Sequence, residues 1–280
     1  MSNKKPYRSS SNARQRNLEV KGTAQALKKA KERTVQQPAN LAAWKQLGAE
    51  LSEVGQFDEA LIALERASAL VSDDAETLAL KGRITHQAGN PEQALIFLHD
   101  AIKLNPNYAK AQHYIGYIYY TQARFNEALQ HAEIACELVP DDVDMLNTLG
   151  NTLMQAFEYN RAKDALEKAA RLAPKNYLSW NNLGNVYNAI GDLDKGLESY
   201  WQAHRVNPQA PGPFSNIITT YHYHPEKTGK EITALCKKWE SKFLSSVTAL
   251  PLSNLNDPQK RLRVGLISDG FRGHPVGRMI

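Results

Sequence analysis

The sequence predicts an all-α chain: a solenoid of helix–turn–helix units, followed by a linker helix and a short truncated α/β beginning. Three observations carry this reading. Small residues recur in register every 34 positions through the middle of the 280 residues. Large apolar residues lie three and four apart on either side of them, which is one face of a helix. A proline closes each period, where a helix has to stop. Registered self-similarity of this length marks a stacked array, because each unit is too small to bury its own apolar face.

Four ranks define the register. Gly48, Gly82, Gly116, Gly150 and Gly184 form the first, and Ala60, Ala94, Ala128, Ala162 and Gly196 the second. Ala67, Ala101, Ala135, Ala169 and Ala203 form the third, and Pro106, Pro140, Pro174 and Pro208 the fourth, with Ser72 in the first unit. The small residues let paired helices approach closely, and Leu64, Leu98, Leu166 and Tyr200 fill the space between them. Gly55, Gly89 and Gly191 supply the turn between helices in three units.

In chain order, residues 1–23 read as a basic, flexible leader. Residues 24–40 read as a degenerate capping helix with Ala26, Ala30 and Pro38 in register and a lysine-rich outer face. Full units follow at 41–74, 75–108, 109–142, 143–176 and 177–210. Residues 211–260 read as a partial unit (Phe214, Ile217, Ile218, Tyr221), an amphipathic helix over 226–246 and a polar linker. Residues 261–280 start with a buried-strand pattern, RLRVGLIS, and continue through a glycine-containing loop to an apolar helix start.

Composition narrows the function classes. With 42% hydrophobic and 22% charged residues the chain is ordinary for a globular protein, and no stretch approaches the roughly 20 apolar residues of a membrane span. The polar start lacks a signal-peptide core, and Cys136 and Cys236 form no disulfide framework, so a cytoplasmic location is expected. The net charge of +5 conceals +8 in residues 1–33 and +4 from Pro258 onward, leaving −7 between them. No aromatic-rich nucleic-acid motif accompanies the basic leader, so it reads as a solvated tail, and neither nucleic acid nor membrane is an expected partner. His222 and His224 share a face only on a strand and lack further ligands nearby, so no metal is expected.

These residues resemble the tetratricopeptide repeat. Its signature is matched by Trp180-x2-Leu183-Gly184-x2-Tyr187, Gly196-x3-Tyr200 and Pro208. The resemblance implies that the first helix of each pair lines a concave groove. Its inward positions are then Lys45, Ala49 and Ser52 in the first unit and His113, Tyr117 and Tyr120 in the third. In the fourth they are Asn147 and Asn151. In the fifth they are Asn181, Asn185 and Asn188 with Asn182 beside them, and Asn216 adds one more rung. Side-chain amides carry the same donor and acceptor as a peptide backbone, so this ladder can hold an extended polypeptide by its main chain. The competing reading is that asparagine is tolerated on a wet helix face. Met154 and Cys136 read as packing residues.

The tail carries a second resemblance. N-D-P-x-x-R-L-R-V-G-x-x-S from Asn256, then F-R-x-H-P-V-G from Phe271, is similar to the opening of the catalytic region of protein O-GlcNAc transferases, a family that includes SPINDLY-type fucosyltransferases. Ser215, Asn216 and Tyr223-His224-Pro225 are similar to that family's junction, while Gly270 stands where the family often has aspartate. The resemblance implies two Rossmann-like lobes, a metal-free UDP-GlcNAc donor site without further cofactor, and His274 at the sugar-transfer site. It also implies acceptor segments held in the groove and delivered as Ser or Thr hydroxyls. Only 20 residues run from Arg261 to the end, against roughly 100–200 for an α/β lobe, so the expectation is a truncated transferase without activity of its own. The alternative is a non-enzymatic interaction scaffold.

Overall fold

A computed structural model describes residues 10–244, with side chains from residue 22 onward. Every regular element among them is helical, thirteen helices in all. The predicted strand and loop over 261–280, with His274, and the leader's first nine residues lie outside the described residues. The chain divides after Trp239, and the first unit, Met1–Trp239, carries the helical array.

The first helices are α2 (Leu41–Glu53), α4 (Ala75–Gln87), α6 (Ala109–Thr121), α8 (Val143–Gln155), α10 (Tyr177–Ala189) and α12 (Pro211–Tyr223), each starting 34 residues after the last. The second helices, α3 (Phe57–Leu70), α5 (Pro91–Leu104), α7 (Phe125–Leu138), α9 (Tyr159–Leu172) and α11 (Leu193–Val206), keep the same interval. Asn40, Asp74, Asp142 and Asn176 cap four of the first helices through side-chain oxygens that accept backbone N–H bonds. At the other end, the residue before each registered proline leaves helical geometry, as at Asn105 (φ −138°, ψ 93°), while its N–H still bonds to the registered alanine carbonyl four residues back.

The small ranks sit where helices cross. A Cβ on Gly48, Gly82 or Gly150 would lie 2.9, 2.5 or 2.4 Å from the leucine sixteen residues on, and one on Gly184 would lie 2.6 Å from Tyr200. At Gly116 the residue sixteen on is Ala132, and α7 comes in until backbone atoms of Ala128 and Ala132 are the nearest neighbours, at 3.1 and 3.2 Å. The alanines of the second and third ranks are fully buried. Gly196 departs from alanine because Asn188 Oδ1 occupies the place of its missing Cβ. A further rank went unread in the sequence: Ile84, Ile118, Thr152, Val186 and Thr220, all fully buried two residues or their register equivalent after the first-rank glycine.

Trp44 and Trp180, four periods apart, each donate an indole N–H to a proline carbonyl in the loop before their helix, Pro38 at 2.8 Å and Pro174 at 3.0 Å. From α1 to α12 each helix packs on the next in sequence, and each first helix also packs on the first helix of the following unit. Second helices have no such backbone proximity to one another. The first helices therefore form the tighter, inner wall of the curve.

The ends differ from expectation. The helix before the array, α1 (Ser10–Gln36), starts at Ser10 rather than near residue 24, so part of the expected flexible leader is helical. Its sequence explains this: Ala, Arg, Gln, Leu, Glu and Lys dominate, and proline is absent. Ala30 and Thr34 are buried, and Lys28, Lys29 and Lys31 face solvent. The amphipathic helix is α13 (Gly229–Phe243), shorter than its predicted span. A reciprocal cap starts it, with Glu231 accepting from the Thr228 backbone N–H and Thr228 Oγ1 accepting from the Glu231 N–H.

Candidate functional site: a two-part groove on the first helices

Four consecutive first helices, α4, α6, α8 and α10, line a cavity of about 690 Å³. Its cations, Arg83 and Lys110, come from α4 and α6, and its carboxylates, Asp142 and Asp144, from the start of α8. His86, His113, Tyr114 and Tyr117 form an aromatic section; His86 meets Tyr117 edge-on at 5.7 Å, and His113 lies 5.4 Å from Tyr114. Asn151, Asn182, Thr148 and Leu178 complete the far wall.

Burial sets the protonation here. It lowers the pKa of His86 and of His113; Asp142 and Asp144 pull His113 the other way and are outweighed. The buried Nδ1 of His113 has no hydrogen-bond partner. Burial likewise raises the Tyr114 phenol. The groove thus presents neutral imidazole and phenol between a basic and an acidic flank. Arg83 is braced by Ser52 Oγ at 3.2 Å and by Glu53 at 3.5 Å, so its guanidinium is held from the preceding unit.

A second cavity, about 650 Å³, continues along α8 and α10 and reaches α9, α11 and α12. Met154, Gln155, Phe157, Tyr159, Asn185, Asn188, Leu193, Tyr200 and Tyr223 are among its lining residues.

The sequence-predicted residues divide among these places. Tyr117, Asn147, Asn151 and Asn182 line the first cavity, and Asn185 and Asn188 the second. Asn181 and Asn216 line neither, and Tyr120 packs against Phe125 at 6.0 Å beside the helix–helix turn. Most of the amides are engaged with the adjacent unit. Asn182 donates to Asn147 at 3.4 Å, and Asn147 itself donates to Ser179 Oγ at 2.9 Å. Asn216 donates to Asn181 at 3.0 Å and to Asn185 at 3.4 Å, and Asn188 donates to Thr220 at 2.6 Å. Tyr200 donates to Asn185 at 2.8 Å. The ladder therefore ties units together, and its capacity for a ligand along the two cavities is what remains: both ends of Asn151, the Asn182 oxygen, the Asn185 nitrogen and the buried, unpartnered Asn188 Oδ1.

Arg83 and His86 were missed by the sequence reading, although their signal was present. They stand one and four residues after Gly82, the register that gives Tyr117 and Tyr120 after Gly116. Cys136 is half-buried in an apolar cluster, and burial pushes its thiol up to about 12, which leaves it a packing residue. Met154 packs beside Leu166 and Val186. His224 is buried, with Nδ1 accepting from the Glu226 N–H; Nε2 carries the proton towards Asp194 at 3.1 Å. His222 instead donates to the Ile218 carbonyl at 2.8 Å. Among the described residues no helix is long and apolar enough to cross a membrane.

Family models of the tetratricopeptide repeat match residues 75–108, 143–176 and 165–198. No curated protein sequence matches the chain. Among solved structures it is similar to the APC/C hetero-tetramer Cut9–Hcn1, at 16% identity and TM-score 0.69, over 80% of this chain and 44% of that one. It is also similar to pilF of Pseudomonas aeruginosa, at 18% identity and TM-score 0.62, over 74% and 91%. A third likeness, to YrrB, described as a repeat protein with an unusual peptide-binding site, has 22% identity and TM-score 0.50 over 65% and 91%. These likenesses concern the fold. The chain spans less than half the length of the Cut9–Hcn1 chain it matches. With the 34-residue register and the helix pairing, the matches show that the chain carries tetratricopeptide repeats within a helical solenoid.

Proposed function

We propose that the chain is a protein-interaction scaffold that holds an extended segment of a partner polypeptide along its first helices. The observation carrying this is the 690 Å³ groove over four units, with Arg83 and Lys110 from α4 and α6, Asp142 and Asp144 at the start of α8, and an uncommitted amide at Asn151 and amide oxygen at Asn182 beside the aromatic section. Such a surface supplies backbone-matching donors and acceptors and pairs with side chains of both signs. The test is selection of random twelve-residue peptides on the 280-residue chain, followed by titration of the best binders. Tyr117→Ala and Asn151→Ala should each weaken binding by about tenfold with an unchanged far-ultraviolet spectrum. Undiminished binding in both variants places the peptide elsewhere and removes this reading.

A second reading is favoured by the sequence from Asn256 to Gly277, which resembles the start of an O-GlcNAc transferase catalytic region. In it the groove belongs to a longer enzyme that transfers GlcNAc or fucose from a nucleotide-sugar donor, UDP-GlcNAc in the first case, to Ser or Thr. His274 then stands near the acceptor hydroxyl. The two readings separate in the reading frame downstream of codon 280: continuation into hundreds of codons that encode nucleotide-sugar-binding lobes puts the transferase first, and a stop followed by unrelated sequence keeps the scaffold reading.

A further inference from the structure

Phe157 is the anomaly from which the inference starts. It occupies the helix–helix turn at φ +61°, the position that glycine takes at Gly55, Gly89 and Gly191 with φ between +76° and +90°. A bulky residue with left-handed backbone is a steric outlier, and such outliers gather at functional surfaces. The ring is not hidden to compensate: Phe157 is 77% exposed. It meets Tyr159 edge-on at 6.1 Å. Tyr223, 75% exposed, lines the same cavity from α12.

This cavity has a chemistry unlike its neighbour. Its eleven lining residues include no Asp, Glu, Lys, Arg or His, whereas the first cavity holds two cations and two carboxylates. A charged side chain entering the second cavity would lose hydration with no opposite charge to meet it, and the first cavity offers charges of either sign close by. Apolar and aromatic walls with a few amide and hydroxyl groups suit a large uncharged side chain, above all one with a polar tip.

The two cavities also lie side by side on the same helices. Asn151 lines the first and Met154 and Gln155 the second on α8, and Asn182 and Asn185 do the same on α10. Three or four residues of helix rise about 4.5–6 Å. An extended peptide covers that in about two residues.

We propose that the second cavity is a specificity pocket for an aromatic side chain of the bound polypeptide, two to four residues from a charged residue seated in the first cavity. The proposal rests on the groove reading and specifies its ligand: an extended segment that combines a charge with a nearby Phe, Tyr or Trp. The register imposes the left-handed turn at Phe157 as it does at Ala123; what the proposal accounts for is a large exposed ring standing there instead of glycine, where it can close over that side chain.

The experiment selects random twelve-residue peptides on the 280-residue chain and, separately, on Phe157→Gly and Tyr223→Ala. The parent should enrich peptides with an aromatic residue at the stated spacing from a charged one. Phe157→Gly and Tyr223→Ala should bind those peptides about tenfold more weakly and lose the aromatic preference while keeping the charged one. Phe157→Gly restores the residue found in three other turns, so it should melt no lower than the parent, which separates lost recognition from lost folding. Peptides enriched for lysine at that position, or an aromatic preference that survives both substitutions, overturn the proposal. If the parent enriches no peptide, or Tyr117→Ala and Asn151→Ala leave binding unchanged, the groove reading itself falls and the pocket falls with it.

Discussion

At the residue scale, Phe157 and Ala123 show what the periodic pattern conceals. The sequence displays glycine at only three of the five turns, yet all five adopt positive φ, with Ala123 at +58° and Phe157 at +61°. The register, set by buried residues on both sides, imposes the conformation whatever residue is present. A left-handed L-residue costs roughly 1–2 kcal/mol, and glycine gives back part of this through its greater freedom when unfolded. Phe157→Gly is therefore expected to stabilise the array by about 1 kcal/mol. Urea unfolding followed by circular dichroism measures it, and a lowered midpoint would show that the exposed ring contributes packing that its 77% exposure does not suggest.

The amides teach a related lesson. Their concentration on α8 and α10 was legible in the sequence, but their mutual bonding was not, because a sequence gives the face of a helix and not the neighbour it meets. In retrospect the pairs Asn147–Asn182 and Asn181–Asn216 stand 35 residues apart, one period and one step, and Asn147–Ser179 and Asn188–Thr220 stand 32 apart, the two offsets at which side chains of adjacent first helices meet here.

At the scale of the element, the glycine rank predicts different responses at different crossings. At Gly150 the obstacle is the Leu166 side chain, with three atoms between 2.4 and 2.9 Å of a new Cβ. At Gly116 it is the backbone of α7. Gly150→Ala should cost about 1–3 kcal/mol from overpacking, and much less when Leu166 is already alanine. Gly116→Ala has no facing side chain whose removal relieves it. A double-mutant cycle by chemical denaturation checks this; strictly additive effects at 150 and 166 contradict the crossing geometry. The ranks themselves were readable because close approach demands small residues at fixed positions. The buried Ile84, Ile118, Thr152, Val186 and Thr220 rank escaped notice because it mixes hydroxyl and aliphatic side chains of similar, β-branched shape.

At the scale of the molecule, protonation acts on several units at once. His86 and His113 on first helices and His131 on a second helix all have burial-lowered pKa values, and neighbouring His99 lowers that of His131 further. At Asp74, burial opposes the charge, but hydrogen bonds from Thr77 and the nearby Lys45 outweigh it and hold the carboxyl below its usual range. For each of these groups the unfolded chain binds protons more readily than the folded one, so stability increases with pH. The imidazole contribution is complete above the ordinary histidine value of 6.5 and is lost as pH falls below it; that of Asp74 follows below 3.8. Urea midpoints should decline from pH 7.5 to 5, less steeply in His113→Gln and His131→Gln. A midpoint that holds constant over that interval contradicts this account.

First helices brace one another from unit to unit, while second helices meet their counterparts only through side-chain tips, such as the exposed Arg161–Glu133 pair and the His99–His131 rings at 6.2 Å. Exposed ion pairs are worth about 0–1 kcal/mol. The array is thus hinged like a fan, stiff along its inner ribs and loosely joined along its outer rim. Flexing can vary the pitch between neighbouring units, and with it the span of the inner wall, at the cost of those outer tips while the buried ranks stay closed.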